Sequence, residues 1–276
     1  MKGRLLRWPY AAVALLAILA LGWAAATAPV HLPAPEVDFA YAGPLELPPF
    51  GADHRGRPLL DYARQGAWVV ALPAMVAGLL VMFMAVGGGL LACLGGGWAR
   101  SAVQIASEVV GSLPRMVVIL VVALLVPRDD RSLLPMAIAW ALLAAPGAMD
   151  EAASVAERLG GTRFVEALRA HGFSASRIFG WHVVALNLRP VVVRQGAEVM
   201  MQVVFLEIAL SYLSVVEDQP SFTHPDSMMS WADLLYQGYR SIVLDVPTTH
   251  VLALGLALIS LVAVVSLSIG AAARAR

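Results

Sequence analysis

The sequence predicts an all-α integral membrane protein with six transmembrane helices, and three observations carry that prediction. Of its 276 residues, 59% are apolar and only 14% are charged, with a mean hydropathy of +0.75; an ordinary soluble domain has roughly half and about a quarter. Long stretches lack Asp, Glu, Lys and Arg, or nearly so. The basic residues are divided unequally between the segments that join those stretches.

A helix needs about 20 apolar residues to cross ~30 Å of hydrocarbon. Residues 8–35 carry no charge and hold the first span, with a continuous apolar run at about 11–26. Residues 65–99 are uncharged and supply the second. The third, 101–127, carries only Glu108 and Arg115. The fourth, 132–149, is uncharged and short. The fifth, 195–216, carries Glu198 and Glu207, and the sixth, 246–273, is uncharged. Backbone amides in lipid must be paired within the segment, so these runs are expected as helices.

With the N-terminus inside, the inner segments hold Lys2, Arg4, Arg7, Arg100, Arg158, Arg163, Arg169, Arg177, Arg189, Arg194, Arg274 and Arg276. The outer ones hold Arg55, Arg57, Arg64, Arg128, Arg131 and Arg240. That asymmetry favours both termini in the cytoplasm under the positive-inside rule. The first span has a basic start and small residues at 24–28, like a signal peptide. We expect it to be retained, because its loss would put the C-terminus on the other side.

The chain divides accordingly into three parts. Residues 1–27 are a cytoplasmic N-terminus and first span. Residues 28–66 form an outer loop that holds seven of the 17 prolines and is therefore extended or turn-rich. Residues 67–276 form a five-helix core with an inner loop at 150–190. In the outer segment 217–245, Trp231, Tyr236 and Tyr239 suit the membrane–water interface. In the inner loop, 162–171 reads as a short helix with Thr162 as N-cap and Gly172 as the residue that ends it. Such a helix suits docking into a groove on another protein, or lying on lipid through Phe164, Val165 and Leu168.

Several classes of function are excluded or disfavoured. Charges balance at 19 basic and 19 acidic, so nothing favours nucleic acid. The lone Cys93 rules out an internal disulfide or a cysteine-rich zinc site. No two histidines stand at i, i+4, so no helical metal site is visible, and Met200-Met201 and Met228-Met229 read as packing. Lys2 is the only lysine, so the chain cannot carry a Walker A loop. Any ATP-driven function would place the nucleotide on another subunit.

The inner loop carries a resemblance. Glu166-Ala167-Leu168 followed by Gly172 resembles the Glu-Ala-Ala…Gly motif of binding-protein-dependent ABC importer permeases. Arg177-Ile178-Phe179 and Asn187-Leu188-Arg189-Pro190 are similar to its continuation. The run from Phe50 through Asp53 to Arg57 resembles the Gly-Thr-Asp-x-x-Gly-Arg stretch of the dipeptide, oligopeptide and nickel branch. Gly111-Ser112-Leu113-Pro114 resembles that branch's mid-third-helix proline, and the run from Glu207 through Ser211 to Leu213 its Glu-Ala-Ser-Leu-Ser-Phe-Leu. The segment Ser230-Trp231-Ala232-Asp233-Leu234-Leu235 resembles its Ser-Trp-Gly-x-x-Leu. These motifs fall in the family's order over about residues 50–270, and the single long N-terminal span resembles the second of the two permeases such systems encode. Departures are Leu168 for alanine, Ala185 for proline, Pro58 for an acid and a longer stretch at 217–230. They leave the cargo open.

The resemblance implies the type I ABC importer permease fold in a bacterial inner membrane. It implies a second permease forming a heterodimer, two ATPase subunits that hold ATP and Mg, and a periplasmic or lipid-anchored substrate-binding protein. No cofactor is expected in this chain, and catalysis is expected only in the ATPase subunits. Arg163, Glu166, Ala167, Arg169 and Gly172 would couple to the ATPase. Arg163, Glu166 and Arg169 lie three apart and share a helix face, where they could instead merely stabilise one another. Ionisable groups in spans usually face the bundle interior or a water path, which makes Glu108, Arg115 and Glu207, with Ser211, candidates for lining the path. Glu108 and Arg115, seven apart, would share one face of one helix, and Arg115 could pair with Glu108 or Glu207. Asp53, Arg57 and Trp231 are candidates for contact with the binding protein, although Asp53 and Arg57 could simply brace a turn. The expected cargo is a short peptide, with nickel or a metal chelate as the alternative. From other classes, a proton-driven secondary transporter using Glu207 lacks visible inverted repeats, and an intramembrane enzyme lacks a visible nucleophile–base pair.

Overall fold

The computed structural model describes residues 7–127, 130–160, 163–216, 221–225, 228–244, 246 and 249–274. Among them the chain is helical, without a strand beyond one isolated bridge between Ala52 and Pro58. The helices are α1 (Arg7–Ala26), α2 (Leu59–Gly66), α3 (Leu72–Leu94), α4 (Gly96–Gly111), α5 (Arg115–Leu125), α6 (Leu133–Gly160), α7 (Arg163–Ala170), α8 (Ala175–Arg177), α9 (Arg189–Val216), α10 (Trp231–Val243) and α11 (Thr249–Arg274). π-Helical segments at Ala67–Ala71 and Ile178–Leu188 join α2 to α3 and α8 to α9 as continuous rods.

Four rods are long and apolar enough to cross a membrane: Leu59–Leu91, Leu133–Gly160, Ile178–Ser214 and Thr249–Ala272. Gly97–Gly111 and Arg115–Leu125 make a fifth if the bent pair counts as one span. These helices mark a multi-pass membrane protein. The apolar part of the first expected span is shorter, Ala12–Ala26. Length and composition thus give four or five spans where the sequence reading gives six.

The third expected span is not one continuous helix. Its halves, α4 and α5, meet at 77°. Pro114 lacks an N–H, and its own backbone is extended at ψ 95, so the i→i−4 ladder stops there. Glu108 and Arg115 consequently lie on different helices and do not share a face. The fourth and fifth spans overrun their expected limits. α6 continues ten residues past Asp150, and the α9 rod begins at Ile178. Most of the expected inner loop is therefore rod, and only residues 161–177 lie between the two rods.

The bundle is built around α3 and α6, its most extensive helix pair. Ala74, Ala77, Val81 and Ala85 on α3, and Ala137, Ala141, Ala145, Ala148, Ala152 and Ala156 on α6, are all buried at spacings of three or four residues. Small side chains at that period let two helices approach closely, which is the main source of affinity between helices in lipid. Gly88 extends the seam, since a Cβ there would meet Met149. One end of the bundle is arginine-rich and carries Arg100, Arg158, Arg194 and α7. The other carries the long loops. There Gln65, almost fully buried, donates to the Pro29 carbonyl at 3.0 Å and accepts from the Met229 amide at 3.1 Å, tying two loops to one helix end.

Candidate functional site

At the arginine-rich end, α7 packs on the bundle by one face only. Val165 is buried in the main core and Leu168 packs against that core. Neither is left for lipid, so the lipid-surface alternative loses two of its three residues; the side chain of the third, Phe164, lies outside the described residues, as does the expected cap Thr162. Arg163, Glu166, Ala167 and Arg169 are exposed on the opposite face. Among the described residues no ion pair joins Arg163, Glu166 and Arg169, so these charges do not neutralise one another. The helix stops abruptly. Gly172 adopts φ +79, its amide donates to the Arg169 carbonyl at 2.9 Å, and the Phe173 amide donates to the Leu168 carbonyl at 3.2 Å. This reciprocal pair is the glycine-terminated Schellman end. Beyond it, the Arg177 guanidinium lies 5.0 Å from the Phe173 ring centroid and that of Arg169 lies 5.9 Å from Phe179. Both distances suit cation–π attraction, so aromatic side chains hold the turn to the rod.

The same end holds ion pairs that the sequence did not announce. Arg100 on α4 pairs with Asp150 and, at 3.2 Å, with Glu157, and donates to Ser154 Oγ at 2.9 Å, all on α6. Arg194 on α9 pairs with Glu151 on α6 and lies 3.8 Å from Glu198, while Gln195 also donates to Glu151. These contacts explain why α6 continues past Asp150: its acids are neutralised from both neighbouring helices. They also tie α4 and α9 to α6, the helix that precedes α7. Asp150 and Glu157 stand seven residues apart and face α4, whereas Glu151 faces α9.

At the loop-rich end lies a buried polar cluster. Glu207 on α9 is fully buried; the Ser211 hydroxyl, one turn on, donates to its Oε1 at 3.0 Å. Its Oε2 has no hydrogen-bond partner among the described residues. Ser230, Asp233 and His224 are close enough to act on it. Ser230 is the N-cap of α10: its hydroxyl accepts from the Ala232 and Asp233 amides, and the Ser230 amide donates to Asp233 in return. His224 Nε2 is 2.9 Å from Asp233 Oδ2, and its Nδ1 is 3.0 Å from the Pro225 carbonyl. Both ring nitrogens are thus engaged, and the set is wired as a helix cap rather than as a nucleophile with its base. Burial alone would lower the His224 pKa, but the hydrogen bond and charge of Asp233 outweigh it and raise the imidazole above its usual range. Burial pushes Asp233 the other way; His224 and the Ser230 contacts prevail and hold its carboxyl below the usual value. Each group thus favours the charged form of the other. His224 and Asp233 gave no signal of their own in the sequence, because they stand nine residues apart on different elements.

The remaining candidates are dispersed. Asp53 is fully buried: Oδ1 accepts from the amides of Arg55 and Arg57 at 2.8 Å each, and Oδ2 accepts from the Tyr62 hydroxyl. With Gly56 at φ +77, this is a braced turn docked on α2. Trp231 is also fully buried; its indole N–H donates to the Ala63 carbonyl at 3.2 Å and its ring lies on Gly66. Neither Asp53 nor Trp231 presents a side chain to a docking protein here, whereas Arg57 is part-exposed. Trp231 also departs from the interfacial role expected of it, which the exposed Tyr236 and Tyr239 still fit. Glu108 is exposed and accepts from Gln104 at 3.1 Å. Arg115, half-exposed, pairs with neither Glu108 nor Glu207 among the described residues. Arg128 and much of 217–227 lie outside the described residues. Among those described, no group of three His, Cys, Asp or Glu side chains could hold a metal. Compared with known proteins, no family model matches the chain and no curated protein matches it.

Proposed function

We propose that the chain is the permease subunit of an ATP-driven, binding-protein-dependent importer in a bacterial inner membrane. It would cross six times with both termini in the cytoplasm, take the type I ABC importer permease fold and carry short peptides. The observation that carries the reading is α7. This short helix is anchored by Val165 and Leu168, terminated by Gly172, and joined to rods on either side, yet it turns Arg163 and Glu166 away from the bundle, while Arg169, also exposed, rests on Phe179. A charged face held rigidly on a lever is suited to receive a push from a soluble subunit and pass it to the spans. The absence of a Walker A lysine requires that subunit to be a separate chain.

Exposed polar groups on the apolar helices support a partner within the membrane. Gln104 and Glu108 on α4, and Glu198 on α9, are exposed on the outside of this single chain. Such groups are costly against lipid. A second permease closing over α4 and α9 would enclose them beside a water-filled path. Glu207 and Ser211, buried at the loop-rich end of the same helix, would sit behind that path's outer mouth.

The reading is tested by co-expressing the chain with candidate ATPase and permease partners and reconstituting the purified assembly in vesicles. ATP-dependent peptide uptake that fails in Glu166→Trp, while ATP hydrolysis and subunit assembly persist, is the expected result. Undiminished uptake in that variant, or transport by the lone chain without ATP, would overturn it.

A further inference from the structure

A cleft of about 370 Å³ opens between α1, α3, α9 and α11. Its walls are apolar and pliable: Ile18, Leu79, and three methionines, Met75, Met82 and Met200. Arg189 alone among the lining residues carries a charge. The cleft has a structural cause. Gly78 and Gly196 bring α3 and α9 into backbone contact beneath it; a Cβ on Gly78 would stand 2.8 Å from the Gly196 carbonyl. α1, by contrast, rests on α11 and on the loop-rich end of the α2–α3 rod, and makes little contact with α3 itself. A wedge is left between them, open toward the arginine-rich end.

The geometry points to a binding site for one anionic phospholipid, with an acyl chain in the wedge and the phosphate at Arg189. Arg189 is exposed, and among the described residues no carboxylate pairs with it. It lies at the junction of the π segment and α9, beyond the Arg194–Glu151 pair that marks the polar boundary of the bundle at this end. That is headgroup depth. Leu79, 64% exposed, lies deeper along the wedge, at acyl-chain depth. A basic side chain at a membrane surface attracts anionic lipid, and methionine walls adapt to a flexible chain. The site stands apart from the docking helix and the polar cluster, so it does not depend on the transport reading.

The test is native mass spectrometry of the full-length chain, with any subunits it retains, in mixed micelles holding equal amounts of phosphatidylglycerol and phosphatidylcholine. Wild type should retain phosphatidylglycerol about five-fold over phosphatidylcholine, the preference one arginine confers beside anionic headgroups. Arg189→Gln should bring the ratio to about parity, Arg189→Lys should keep it, and Leu79→Trp should reduce retention of both lipids. A wild-type protein without preference, as when another subunit fills the wedge, overturns the proposal whatever the variants do. So does an undiminished preference in Arg189→Gln.

Discussion

Gly172 offers the cleanest perturbation of the coupling helix, because its surroundings contribute nothing. A Cβ built there meets no atom within 4 Å, so only the backbone, at φ +79, opposes a side chain. The left-handed region costs an L-residue about 1–2 kcal/mol. Asparagine tolerates it better than alanine, and a β-branched residue tolerates it worst. A penalty of ~1 kcal/mol for Gly172→Ala corresponds to about a five-fold larger open population at this helix end. The amides of Gly172 and Phe173, which donate to Arg169 and Leu168, report that opening by hydrogen exchange. Their exchange should rise in the order Gly, Asn, Ala, Val, with no change at the α3–α6 seam. Equal exchange in all four proteins, or alanine slower than asparagine, would refute the conformational argument.

Three further outcomes follow. Gly66→Ala should destabilise the protein by about 1–3 kcal/mol through overpacking against the buried Trp231 indole, read as a lowered unfolding midpoint; an unchanged midpoint would contradict the packing described. The His224–Asp233 pair should stabilise the α10 cap fully between pH 3.8, the ordinary carboxyl value, and 6.5, the ordinary imidazole value. Because His224 is raised on folding, its contribution disappears as pH climbs through the raised value, and because Asp233 is lowered, its contribution disappears as pH falls below 3.8. The stability difference between wild type and His224→Gln should therefore shrink on the alkaline side; a difference that grows there would reverse the sign. Pro114→Ala should relax the 77° bend, lengthening the Ile105–Leu124 backbone separation from roughly 22 Å toward the roughly 28 Å of a continuous helix. Spin-label distances in a Cys93→Ser background measure this, and an unchanged distance would assign the bend to tertiary packing.

The sequence made the helices visible wherever lipid was their solvent, since a charge-free run has one acceptable form there. It misjudged where they end. Asp150 reads as a boundary, but a helix persists in water when its acids are paired, and Arg100 and Arg194 come from helices distant in sequence. The proline at 114 was conspicuous, yet whether it kinks or breaks a helix depends on what supports the freed backbone. The π segments Ala67–Ala71 and Ile178–Leu188 leave no periodic trace at all. For the site, local devices were legible: glycine at the end of α7, and aspartate with glycine in the turn at 53–56. Burial of Trp231 and the pairing of His224 with Asp233 were not, because each is decided by a partner element across a loop.

The most direct test of the account is a cysteine placed at Glu166 in a Cys93→Ser background, cross-linked in native membranes. The account predicts a covalent adduct with a nucleotide-binding ATPase subunit whose yield changes between ATP-bound and nucleotide-free states. A residue that reacts only with soluble reagents or lipid-borne probes, identically with and without nucleotide, would contradict it.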